Sequence, residues 1–237
     1  MKLDILAFAA HPDDIELSCS GTLALQQSLG HSIGVIDLTQ GELGTRGSVK
    51  IREGEASRAS EILKLSIREN LQMPDGFFDI SKKHILEIAT SIRKYRPEIV
   101  LANAIADRHP DHGRAAKLVR ESCFFSGLEK IQLSDGEDLS PWRPKVIYHY
   151  IQSNYIKPDI IVDISEFWDK KAESIRAFKS QFYDPDSDEP ETYISKPGFL
   201  EFLESRAIMW GHAIGVKYGE GFTVQREPGI RDLKDLI

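Results

Sequence analysis

The run LDILAFAA at residues 3–10 is apolar at every position except Asp4, with no alternation of wet and dry side chains. Such a run is a strand buried on both faces, and strands of that kind belong to parallel sheets covered by helices on either side. Further buried strands are expected at SIGVIDLT (32–39), EIVLAN (98–103), VIYHYI (146–151) and DIIVDI (159–164). A weaker one is expected at 66–72 and a last one at VKYGEGFTV (216–224). Helical patterns fall between them. One runs from Ser18 to Leu29 and is closed by Gly30, and a charged one runs from Ile51 to Lys64. Ser81 can cap another, with Ile85, Ile88, Ile92 and Tyr95 at helical spacing and Pro97 as its stop. Others are expected from Gly113 to Phe125 and near 165–181 and 197–214.

This alternation predicts an α/β protein: a single Rossmann-like, doubly wound, mainly parallel sheet with helices on both faces. With 237 residues, 41% of them hydrophobic, one domain spanning 1–237 can bury its core without disulfides or a structural metal. A metal in such a chain would serve chemistry. The net charge is -7 with Lys and Arg scattered, which argues against a nucleic-acid or anionic-membrane surface. Cys19 and Cys123, in helical segments without metal-like spacing, read as small buried hydrophobes. No apolar run is long enough for a signal peptide or a membrane span, so a cytoplasmic location is expected.

Two short motifs carry the chemistry. His11-Pro12-Asp13-Asp14 follows the first strand, and His109-Pro110-Asp111-His112 follows the strand ending near Asn103. In doubly wound sheets, ligands bind in the crevice at the carboxyl ends of the strands, where the strand order reverses. A strand order of 3-2-1-4 would make the first and fourth strands neighbours and bring both motifs to that crevice. Two or three imidazoles and several carboxylates would then share a small volume, and a divalent cation relieves the repulsion between the acids. Two His and one Asp with an open position form a catalytic zinc set that acidifies water, although Fe2+ or another divalent metal suits the same donors. Either motif alone is ordinary loop chemistry, with an Asp capping the next helix. Twice, each time after a buried strand, it points to a metal.

The pair A-H-P-D-D-x-E and H-P-D-H, with GELGTRG after the second strand and KSQF later in the chain, resembles the LmbE/PIG-L family of zinc N-deacetylases. Within that family the chain looks most like the bacillithiol-pathway branch, which deacetylates N-acetylglucosaminyl malate. The resemblance implies His11, Asp14 and His112 as Zn2+ ligands, Asp13 as general base and His109 as a charge-stabilising histidine. It places Arg52 and Tyr193 around the substrate and its developing oxyanion, and it implies a homo-oligomer acting on a small amino-sugar substrate. Asp13 would take a proton from the activated water, and zinc, Tyr193 and a protonated His109 would face the oxyanion. Asp111 would hold His109 in its charged form.

Other residues divide between two readings. Arg46, in GELGTRGS, is either a salt-bridge partner for substrate carboxylates or a solvated loop arginine. Glu16 reads as a capping or supporting residue, and His31, His84, His149 and His212 as structural or surface residues. Trp210, near Phe199, Phe202 and Met209, fits core packing rather than a sugar platform. The acidic stretch DPDSDEPE (184–191) is a loop, either a solvated connector or a lid. Rival functions are deacetylation of another N-acetylglucosamine conjugate and non-catalytic binding of a sugar or nucleotide. A binding module has no use for Asp13 beside a ligand set. A two-metal phosphoesterase would need more ligands than one His2Asp group.

Overall fold

The computed structural model describes residues 1–136, 139–232 and 234, so the end of the polar tail lies outside the described residues. The strands are β1 (Ile5–Ala9), β2 (Ile33–Thr39), β3 (Ile67–Met73), β4 (Ile99–Ala102), β5 (Val146–Tyr150), β6 (Ile160–Asp163) and β7 (Gly219–Val224). They form one sheet in the order β3-β2-β1-β4-β5-β7-β6. The first five strands are mutually parallel and β7 runs antiparallel between β5 and β6. The order reverses between β1 and β4, as the placement of the two motifs requires.

The helices are α1 (Asp14–Ser18), α2 (Ser20–Ser28), α3 (Val49–Leu63), α4 (Lys82–Tyr95), α5 (Pro110–Phe125), α6 (Trp168–Arg176) and α7 (Phe199–Ala213). They cover both faces of the sheet, and β1 shows how. Leu6, Phe8 and Ala10 pack with Ile88 and Ile92 of α4 and Leu118 and Val119 of α5. Ile5, Ala7 and Ala9 turn the other way, onto Ile15, Cys19 and Leu23. Trp210 is core, and among the described residues no helix is long and apolar enough to cross a membrane.

Three boundaries differ from expectation. The helix expected over 18–29 is α2, which starts at Ser20 where the buried Glu220 carboxylate from β7 accepts from the Gly21 and Thr22 N–H groups, and a short unexpected helix, α1, precedes it. Cys19 is therefore the junction between two helices. The helix expected from Gly113 begins three residues earlier, with Pro110 in its first turn and the His109 ring accepting from the Asp111 N–H. His112 thus sits on a helix rather than in a loop. Residues 165–181 are α6 flanked by short 3-10 turns at Ser165–Phe167 and Lys179–Gln181.

Candidate metal centre and active site

Both motifs meet at the carboxyl edge of the parallel strands. The His11 and His109 ring centroids are 4.7 Å apart, those of His109 and His112 5.1 Å, and those of His11 and His112 5.6 Å. Asp14 lies between the outer two: Oδ2 is 3.6 Å from His11 Nδ1, and Oδ1 is 3.1 Å from His112 Nε2. The opposite nitrogen of each ring faces a carboxylate. His11 Nε2 is 3.1 Å from Asp75 and 3.3 Å from Asp111, and His112 Nδ1 is 2.5 Å from Asp107. This pattern fits a divalent ion, because a metal-binding imidazole keeps its other N–H on a carboxylate, which fixes its tautomer and direction. His11, Asp14 and His112 are all buried.

The charges follow from burial and these partners. Burial opposes a charged His11, but Asp111, Asp14 and Asp75 hold it well above its ordinary range. His112 is likewise resisted by burial and raised to about 9 by Asp14 and Asp107. Asp14 stays far below the ordinary carboxylate range because His112 and His11 outweigh its desolvation.

Asp13 is set apart from its neighbour by the backbone. Its φ of 117° lies in the left-handed region, which costs a non-glycine residue about 1–3 kcal/mol and occurs where surrounding structure enforces it. While Asp14 faces the imidazoles, the Asp13 carboxylate lies 3.6 Å from Arg52 Nη2. Burial pushes it up to about 7, with Arg52 opposing and Asp14 assisting. Arg52 also donates to the Gln181 side chain, and its buried Nε has no partner among the described residues.

These groups line a cavity of about 300 Å³, walled further by Arg108, Gln152, Ser153, Phe199, Phe202 and Arg206. Tyr193 stands beside it, 40% exposed, with the Arg108 guanidinium 4.2 Å from its ring centre. Four supporting residues escaped sequence reasoning: Asp75, Asn103, Asp107 and Gln152. Asn103 immediately follows β4, and Gln152 and Asp75 stand two residues beyond β5 and β3, respectively. The signal shared by Asp75, Asn103 and Gln152 is the position of a polar residue just past the carboxyl end of a parallel strand.

Two expected contacts are corrected. The Asp111 carboxylate engages His11, the Gly76 N–H and Arg114 instead of the His109 ring. Without that partner, burial and the neighbouring imidazoles lower His109, so it is held neutral rather than charged. Its Nδ1 accepts from the Asp111 N–H at 3.3 Å, which leaves the proton on Nε2. Arg46 is neither solvated nor part of the cavity wall. It is buried against Ser180 O at 3.0 Å, Ser187 Oγ at 3.1 Å and Glu189 at 3.7 Å, which fastens the 184–191 segment to the loop after β2. Of the two readings of Glu16 the supporting one holds: it is a buried partner of Arg68, at 2.7 Å.

Residues 6–123 match the PIG-L family, described as GlcNAc-PI de-N-acetylase. The diacetylchitobiose deacetylase of Thermococcus kodakarensis is 30% identical over 95% of this chain and 84% of its own. A 4-oxalmesaconate hydratase from Pseudomonas putida is 28% identical over 74% of this chain and 73% of its own. The crystal structure of a conserved Thermus thermophilus protein superposes with a TM-score of 0.87 at 36% identity, covering 98% of each chain. With both motifs on one crevice of a shared fold, the chain belongs to the PIG-L/LmbE family of deacetylases, hydrolases that cleave amide bonds.

Proposed function

We propose that this protein removes the acetyl group from an N-acetylglucosamine conjugate, with N-acetylglucosaminyl malate as the substrate. The observation that carries the reading is the division of labour between adjacent aspartates. Asp14 faces two imidazoles, while Asp13 faces Arg52 and has a proton affinity near neutrality. A binding module needs no second carboxylate of that kind.

His11, Asp14 and His112 would hold zinc. When bound, zinc supplies Lewis acidity that polarises the acyl carbonyl and acidifies water. Asp13 takes the proton of the attacking water and delivers it to the departing amine, roles that suit a group titrating near neutrality. Arg52 steadies the charged form of Asp13. Neutral His109, with its proton on Nε2, donates a hydrogen bond to the oxygen that gains charge. Tyr193 and Arg108 flank the sugar and its substituent at the mouth. Asp111 positions His11 and reaches the reaction only through it.

The test is acetate release from a panel of N-acetylglucosamine conjugates, with an unsaturated dicarboxylate included to detect hydration. Acetate from the malate conjugate in preference to diacetylchitobiose supports the substrate. Hydration without acetate release overturns the deacetylase reading.

A further inference from the structure

The two oxygens of Asp14 have different partners. Oδ2 accepts from the His11 backbone N–H at 2.9 Å and from Asn103 Nδ2 at 3.0 Å. Oδ1 accepts from Gln152 Nε2 at 2.9 Å and stands 3.1 Å from His112 Nε2. The same Gln152 nitrogen lies 3.2 Å from His112 Nε2. Neither amide is free to turn over. Asn103 Oδ1 accepts from the Ala10 N–H at 3.0 Å, and Gln152 Oε1 accepts from the Ala104 N–H at 3.1 Å. A backbone N–H only donates, so each amide oxygen is fixed and each NH2 is directed at Asp14. Asn103 Nδ2 also donates to Gln152 Oε1 at 3.1 Å, which joins the amides into one unit. Behind them His149 Nδ1 meets the Asn103 carbonyl at 2.8 Å and ties the pair to β5.

We propose that Asn103 and Gln152 are positioning residues that decide how Asp14 meets a divalent ion. A carboxylate oxygen has two in-plane acceptor directions. Both directions of Oδ2 are taken by N–H donors, while Oδ1 keeps one beside His112. Asp14 therefore binds through Oδ1 alone. A carboxylate gripping through both oxygens would occupy a further coordination position and narrow the space left for reacting groups. The amide pair keeps that position open, although neither residue belongs to either motif. This inference rests on the reading that His11, Asp14 and His112 hold a metal, and it needs no particular substrate.

The experiment strips metal from the whole protein and titrates zinc against a chromophoric chelator for the wild type, Asn103→Ala, Gln152→Ala and the double variant. Each single change weakens zinc binding by about 10- to 100-fold. The double change weakens it by less than the product, because the two amides share a hydrogen bond. Cobalt(II) in place of zinc then reports coordination number through its visible absorption. The wild type gives the intense bands of a four- or five-coordinate ion, and Asn103→Ala, with Oδ2 released, gives the weaker bands of a higher-coordinate one. Asn103 also helps join β1 to β4, so Gln152→Ala, whose residue follows β5 in a loop, carries the affinity test should Asn103→Ala fail to fold. Single variants that fold and bind zinc within twofold of the wild type overturn the proposal, as do cobalt bands unchanged by Asn103→Ala. A protein that behaves as described with metals but releases no acetate refutes only the deacetylase reading. A wild type that binds no divalent ion overturns both.

Discussion

The Asp13 carboxylate and the Arg52 guanidinium face each other 3.6 Å apart, both more than nine-tenths buried, beside a cluster of three imidazoles. Burial alone would keep Asp13 protonated through neutral pH, and Arg52 is the principal group opposing it. The pair therefore sets the pH at which the proposed base becomes available.

Asp13→Asn is expected to lower kcat by about 100- to 10,000-fold, the range for loss of a general base, while zinc binding is retained. Its effect on stability has a sign that follows from linkage. Asp13 binds its proton more tightly folded, with a pKa of about 7, than unfolded, near 3.8. Metal-stripped wild-type protein therefore loses stability as pH rises from about 4 to 7, and the asparagine variant escapes that loss. Urea unfolding at pH 8 should find the variant more stable by about 4 kcal/mol, with little gain at pH 4.

Gly41 reaches the same pair through sterics. Its φ is +65°, and a Cβ there would stand 1.9 Å from Arg52 Nη1. Gly41→Ala is expected to displace the guanidinium and move the acidic limb of the kcat/KM profile to higher pH by about one unit or more. Zinc affinity should stay within twofold. A limb that does not move would show that Arg52 does not govern Asp13.

Asp107 holds His112 at the nitrogen away from Asp14 and accepts from the Asn154 N–H at 2.7 Å. Asp107→Ala should weaken zinc binding about 10- to 100-fold, because His112 loses both tautomer and direction. Equilibrium titration of the stripped variant checks this.

Arg46 predicts behaviour outside the site. Its contacts with Ser180, Ser187 and Glu189 hold the acidic segment down. Arg46→Ala leaves the Ser180 carbonyl without its donor and should cost about 1–3 kcal/mol. Limited proteolysis should cut within 184–191 several-fold faster than in the wild type, and an unchanged rate would mean that other contacts fasten the loop.

Sequence patterning reached the sheet and both motifs because each depends on local, repeated features. LDILAFAA reads as a strand buried on both faces whatever its neighbours, and a His-Pro-Asp stretch after two such strands is visible by its recurrence. The supporting carboxylates and amides leave no such trace. Asp75, Asn103, Asp107 and Gln152 are single polar residues, and their partners are fixed by a sheet that brings residues 11, 75, 103 and 152 to one edge. The same distance in sequence hid Glu220, which accepts from the first turn of α2 from 198 residues away. Asp111 reads as a partner of its motif neighbour His109, and Arg46 as a partner of substrate carboxylates or of solvent, whereas the fold joins them to Arg114 and Ser180.

The most direct measurement is acetate release by metal-stripped protein as zinc is returned in substoichiometric steps. Convergence of His11, Asp14 and His112 on one ion predicts no release from the stripped protein and a linear recovery that ends at one zinc per chain. His112→Ala should abolish both uptake and recovery. Full release from stripped protein, or recovery in the His112→Ala variant, would contradict it.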